Sequence, residues 1–194
     1  MRSNLPLRQS VLDWLQQNVP QKRLDHILRV EAMAIALAQH HGLDVAAAQT
    51  AGLMHDLAKC FPARRLLAMA TTAGWQLDPT ERQSPHLLHA PVGALIARQR
   101  FGVADERVLQ AIANHTLGAP DMDAVSCVVY LADSLEPGRG DTSELQHLRH
   151  LSDEHLPSAV YETCVASLRH LLETGHPIHP RTILTRNAFL LAKQ

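Results

Sequence analysis

The chain has 194 residues, enough for one domain with a sizeable buried core, and 46% of them are hydrophobic, which excludes a disordered chain. A formal net charge of −1 excludes the strongly basic field that would hold a nucleic-acid backbone, so no nucleic-acid partner is expected. Aromatic residues are only 4%, while His reaches 13 residues, which raises the prospect of metal binding.

In chain order, the spacing of apolar residues predicts a first helix from Leu7 to Asn18, ending before Pro20, and a second from about Lys22 to His41, stopped at Gly42. Val30, Met33 and Leu37 share a stripe with His26 on that second helix. Asp44 can cap a third helix running through Ala58. A fourth follows Pro62 and ends near Gly74. Trp75 to Pro85 is polar and reads as a loop. Further helices are expected from His89 to before Gly102, from Asp105 to His115, and from Asp121 to Leu135, the last very apolar and closed by Pro137 and Gly138. Two more should follow Asp141 and Ser152, and a final one starts near Pro180. Nothing alternates with period two for long enough to make a strand. The expected fold is all-α: a single helical-bundle domain over residues 1–194, with a core at about 21–190 and residues 1–20 as an N-terminal extension or first helix.

No apolar signal core and no stretch of 18 apolar residues occurs, so a cytoplasmic protein with no membrane partner is expected. Cys60, Cys127 and Cys164 have no CxxC spacing and read as reduced thiols.

The chemistry concentrates in a few polar residues on apolar helices. His55 and Asp56 stand side by side in Leu53-Met54-His55-Asp56-Leu57-Ala58-Lys59. A buried carboxylate without a partner is costly, and a metal ion is one partner that imidazole and carboxylate can share. Asp133 poses the same question inside Val128-Val129-Tyr130-Leu131-Ala132-Asp133. His26 alone would be an ordinary core histidine, and His89 and His115 alone would be capping or surface residues. Together, His26, His55, Asp56, His89, His115 and Asp133 form the order H…HD…H…H…D, spread over separate helices that a bundle can bring to one centre.

That order resembles the signature of the HD phosphohydrolase superfamily, and the two intervening histidines resemble its members that hold two metals. The resemblance is closer to the YqeK family, symmetrical dinucleoside tetraphosphate hydrolases that use iron. It rests on Arg23-Leu24-Asp25-His26, His55-Asp56-Leu57-Ala58-Lys59, Leu88-His89-Ala90-Pro91-Val92-Gly93-Ala94, Asn114-His115-Thr116-Leu117-Gly118, Tyr130 to Arg139, and the C-terminal Pro180-Arg181-Thr182. It implies that His26, His55, Asp56 and Asp133 hold one metal, and that Asp56 bridges to a second held by His89 and His115. It further implies Asp56, His55 and Lys59 as catalytic residues. The implied cofactor is iron, two ions, with manganese, cobalt and zinc also compatible with the donor set.

Arg23 lies one turn before His26 and Lys59 one turn beyond His55, and Arg139 follows the helix bearing Asp133. These cations, with His86 one turn before His89, are candidates for binding the substrate's phosphates. The expected partner is a small-molecule nucleotide, and a homodimer is compatible with the sequence. The leading activity is symmetrical cleavage of diadenosine tetraphosphate to two ADP. A nucleotidase or phosphodiesterase on another nucleotide would use the same site. A non-catalytic nucleotide sensor with a structural metal is the reading from a different class.

Overall fold

A computed structural model describes residues 7–192; the first six residues of the expected N-terminal extension lie outside them. Among the described residues there are eleven α-helices and no strand. They are α1 (Leu7–Asn18), α2 (Gln21–His40), α3 (Val45–Met54), α4 (Ala63–Thr72), α5 (Pro79–Gln83), α6 (His89–Phe101), α7 (Glu106–Asn114), α8 (Ala124–Leu135), α9 (Ser143–Glu154), α10 (Leu156–Glu173) and α11 (Pro180–Ala192). Tight 3-10 turns cover Pro85–Leu88 and Pro137–Arg139.

The centre of the bundle is α8, whose Val125, Val128, Val129, Leu131 and Leu135 are all buried. It packs against α2, α3, α7, α9 and α10, which explains why its sequence is apolar on nearly every face. Asp123 caps it by accepting the Ser126 amide at 2.7 Å. Two apolar clusters meet along α2, α3 and α8: one runs out to α6 and α7, the other to α9 and α10. Each fully buried Leu or Ile in them contributes about 1.5–3 kcal/mol.

Helix α3 is gripped closely from two sides. A Cβ at Gly52 would lie 3.2 Å from Ala34 Cβ and 3.2 Å from Glu31 Cα on α2. A Cβ at Gly93 on α6 would lie 3.3 Å from the His55 carbonyl oxygen.

Four boundaries differ from those read in the sequence, the first being α8, which begins at Ala124 behind its Asp123 cap rather than at Asp121. Helix α3 ends at Met54 rather than Ala58, and residues 55–60 wind more tightly: Leu57 N–H bonds Met54 O and Lys59 N–H bonds Asp56 O. The ring of His55 donates to the Gly52 carbonyl, the acceptor that a continuing helix would offer to the Asp56 amide. The stretch expected as a loop contains α5, because Asp78 and Glu81 form a reciprocal capping box. Ser152 does not start a helix. It is buried within α9, where its hydroxyl donates to Arg149 O, and α10 is capped instead by the His155 ring.

Candidate metal centre

The six residues of the H…HD…H…H…D order converge. His55 Nε2 lies 3.5 Å from Asp56 Oδ2 and 3.8 Å from Asp133 Oδ1. His26 Nε2 lies 3.0 Å from Asp133 Oδ1 and 3.9 Å from Asp56 Oδ2. On the other side, His89 Nε2 and His115 Nε2 are 3.1 Å apart, and lie 3.4 Å and 3.7 Å from Asp56 Oδ1. The two oxygens of one buried carboxylate thus face two separate pairs of imidazoles.

Each imidazole is aimed by its other nitrogen. His55 Nδ1 donates to Gly52 O at 2.7 Å, His89 Nδ1 to His86 O at 2.5 Å, and His115 Nδ1 to Ile112 O at 2.8 Å. His26 Nδ1 donates to Glu136 Oε1 at 2.9 Å. Carbonyls and carboxylates only accept, so Nδ1 carries a proton, and in the neutral ring each Nε2 turns its lone pair to the centre.

His26 Nε2, His55 Nε2 and Asp56 Oδ1 are buried without a hydrogen-bond partner. Leaving such atoms unsatisfied costs about 1–3 kcal/mol each. A divalent cation meets the need of all three, and imidazole with carboxylate suits one chemically. The donor atoms fall into overlapping groups of three: His26, His55 and Asp56; His55, His115 and Asp133; and Asp56, His89 and His115.

A further group, Asp78, Glu81 and His179, lies apart. His179 Nδ1 accepts the Arg181 amide at 3.0 Å, and its Nε2 lies 2.7 Å from Asp78 Oδ2 without hydrogen-bond geometry.

The two sides of Asp56 differ electrically. Burial disfavours charge on His55, but Asp56 and Asp133 outweigh it and push the imidazole above its ordinary value. Burial, His115 and Lys59 together push His89 down to about 3. Asp56 is held well below the usual carboxylate range: burial raises it, but His55 and His115 more than offset that. Asp133 moves the same way: burial raises it, but the neighbouring His26, His55 and His115 more than offset that.

Beside the centre is a cleft of about 400 Å³ whose lining includes Lys22, Arg23, Arg29, Lys59 and Arg139. Glu136 is the one acidic residue in that lining, so the cleft suits a polyanion. Arg23 bonds Asp56 Oδ2 at 2.8 Å, Arg139 bonds Asp133 Oδ1 at 2.6 Å, and Lys59 Nζ lies 3.3 Å from His89 Nε2. The first two cations therefore contact the carboxylates directly. His86 is not among the cleft-lining residues, and its observed link to the centre is the carbonyl that aims His89.

The model of the HD domain matches residues 23–138, which contain all six of these residues. The chain belongs to the HD domain family. An HD domain with this donor set implies a divalent metal. The HD chain is 33% identical, over 93% of its length and 96% of the relative's, to the symmetrical bis(5'-nucleosyl)-tetraphosphatase of Bacillus subtilis strain 168. It is 32% identical to the protein of that name from Halalkalibacterium halodurans, covering 96% of this chain and 99% of that one. Among solved structures it resembles a predicted HD superfamily hydrolase involved in NAD metabolism from Clostridium acetobutylicum. That match has a TM-score of 0.91 and 32% identity, covering 95% of this chain and 97% of the other.

Sequence reading gave no role to Glu136, Arg29 or Thr116. Thr116 Oγ1 stands 3.1 Å from His89 Nε2 and 3.0 Å from His115 Nε2. Arg29 follows His26 by three residues on one face of α2, and Glu136 stands three residues after Asp133, just past the end of α8. That spacing was the available signal.

Proposed function

We propose that this HD domain hydrolyses dinucleoside tetraphosphates, cutting diadenosine tetraphosphate symmetrically to two ADP, with two divalent ions held on either side of Asp56. The observation that carries the reading is the division of the Asp56 carboxylate, with Oδ2 toward His55 and His26 and Oδ1 toward His89 and His115. The names of the full-length relatives support the substrate. His26, His55, Asp56 and Asp133 would hold one ion, and Asp56, His89 and His115 the other, with iron the metal that the family resemblance favours.

When bound, such ions supply Lewis-acid charge and a water of lowered pKa at neutral pH. The chain's own groups do the rest. Asp56 and His55 fix the donor geometry from a buried turn. Lys59 places an ammonium beside His89, where it offsets charge developing on the phosphoryl oxygens. Arg23 and Arg139, on the cleft wall, grip the outer phosphates, and His86 acts through its carbonyl, which aims His89. Symmetrical cleavage requires water to attack an inner phosphorus and break its bond to the central bridging oxygen. The water's hydroxyl stays on one ADP and its remaining proton goes to the other. The proposal takes residues 21–190 as one working unit and the cytoplasm as its compartment. No described helix is long and apolar enough to cross a membrane, and the three cysteines are free.

The test is product analysis. The protein, loaded anaerobically with ferrous iron, is incubated with diadenosine tetraphosphate and the nucleotides are separated by ion exchange. ADP as the sole product is expected. ATP plus AMP would overturn the assigned point of attack, and no turnover with both ions bound would overturn the substrate.

A further inference from the structure

Three of the four imidazoles are aimed by local means. His55 and His115 directly follow α3 and α7, and His89 follows a 3-10 turn, so each finds a carbonyl three residues back within reach of Nδ1. His26 is different. It lies in the second turn of α2, which continues to His40, so the carbonyls behind it serve the helix ladder. Its partner must come from elsewhere, and it comes from Glu136, 110 residues away.

Glu136 is itself buried, with its side chain 2% exposed. A carboxylate in that position is tolerable only with strong donors. Oε2 accepts Arg29 Nε at 2.5 Å and the Gly138 amide at 2.5 Å, while Oε1 takes His26 and, at 3.3 Å, Arg29 Nη2. Gly138 also makes room for the arginine. A Cβ there would stand 2.6 Å from Arg29 Nε and 2.7 Å from its Cζ. The obstructing atoms are the far end of a flexible side chain, so a methyl group at 138 would displace Arg29 rather than the backbone.

We infer that Glu136 is a positioning residue for His26, and that Arg29 and Gly138 act on the metal centre through it. Glu136 fixes the His26 ring rotation and tautomer, so that Nε2 points at Asp133 and Asp56. Arg29 and the Gly138 amide fix Glu136. The relay starts at Arg29, whose side chain is 39% exposed, and ends at a metal donor. The inference rests on the metal-ligand reading of His26 given above.

The experiment measures cobalt(II) affinity of the full chain, by competition with a fluorescent chelator, together with the visible spectrum of the cobalt-loaded protein. Glu136→Gln keeps the shape and one acceptor but loses the charge. It should weaken cobalt binding by about 10–100-fold, the usual effect of removing a ligand's outer partner, and shift the spectrum. Gly138→Ala should shift both in the same direction by a smaller factor. In a His26→Gln background, Glu136→Gln should add no further loss, because its route to the ion has gone. A residue that merely braced the fold would weaken both backgrounds alike.

Affinity within twofold of wild type in Glu136→Gln, or losses that multiply in the double variant, would overturn the relay. Should Glu136→Gln fail to fold, Gly138→Ala decides by the same readouts, and wild-type affinity with an unshifted spectrum would overturn it. Unchanged affinity in His26→Gln would overturn the ligand reading and the relay with it. A normal loss in His26→Gln beside a silent Glu136→Gln would overturn the relay alone.

Discussion

The two sides of Asp56 are built from the same donor, imidazole, yet they are unlike. The side with His26 and His55 adds Asp133, and Glu136 stands behind His26. The side with His89 and His115 has no carboxylate in ion-pair contact besides Asp56, and Lys59 sits 3.3 Å from His89 Nε2. The first side has two carboxylates, Asp133 paired with Arg139 and Asp56 Oδ2 with Arg23, while the second has only the shared Asp56 and an ammonium beside it. An ion between His26 and His55 should therefore bind more tightly than one between His89 and His115. The second ion's place is also the one nearest the ammonium that a phosphate would seek.

The largest expected effect comes from removing what the two sides share. Asp56→Asn should lower turnover by more than about 10²-fold, beyond the range typical of outer-shell changes, while far-UV circular dichroism stays that of the wild type. A large fall in thermal stability with turnover retained would instead favour a structural metal.

Next come the substitutions that separate the sides. Calorimetric titration with manganese should show a tight and a weak class of site in the wild type. His115→Gln should remove the weak class and leave the tight one, whereas Asp133→Asn should remove the tight class. Equal losses from both would break the comparison.

Smaller again is Lys59→Met. Taking away the charge beside His89 should strengthen the weak class by about fivefold, corresponding to roughly 1 kcal/mol of relieved repulsion between charges about 4 Å apart. The KM for substrate should rise at the same time. The two changes in opposite directions distinguish a phosphate-binding lysine from one that only packs.

The smallest effect is a control remote from both sides. Burial, aided by Asp123 and Cys164, pushes the Cys127 thiol up to about 12 from an ordinary 9.0. The unfolded chain loses this proton first as pH rises, so the stability contributed by Cys127 is complete below pH 9.0 and falls away toward pH 12. Over that window, the melting temperature of Cys127→Ala should fall less steeply than that of the wild type, with metal affinity unchanged.

Much of this was legible in the sequence, for identifiable reasons. The helices followed from apolar period and from caps such as Asp44, which accepts the Ala47 amide as expected. The six donors stood out because polar residues inside apolar helices need a partner. The end of α3 was not legible, because it is set by the His55 ring competing for the Gly52 carbonyl, a geometry that no apolar pattern records. Ser152 misled because Ser followed by Asp has the composition of a cap, while the observed cap is the unusual His155. Glu136 was quoted within a matching segment, but its function depends on meeting a residue in α2, and single-segment reading cannot supply that contact.

The close approach of α2 and α6 to α3 has a consequence for how such chains are recognised. The hydrogens of Gly52 and Gly93 set how near His26 and His89 can come to the His55–Asp56 turn, yet neither glycine carries a donor. A motif of histidines and aspartates is an address list for the donors, and the ruler that spaces them is written in other residues. A chain could keep all six donors and, with bulk at either glycine, hold them too far apart to share an ion. Surveys that accept sequences on the donors alone would count such chains as enzymes.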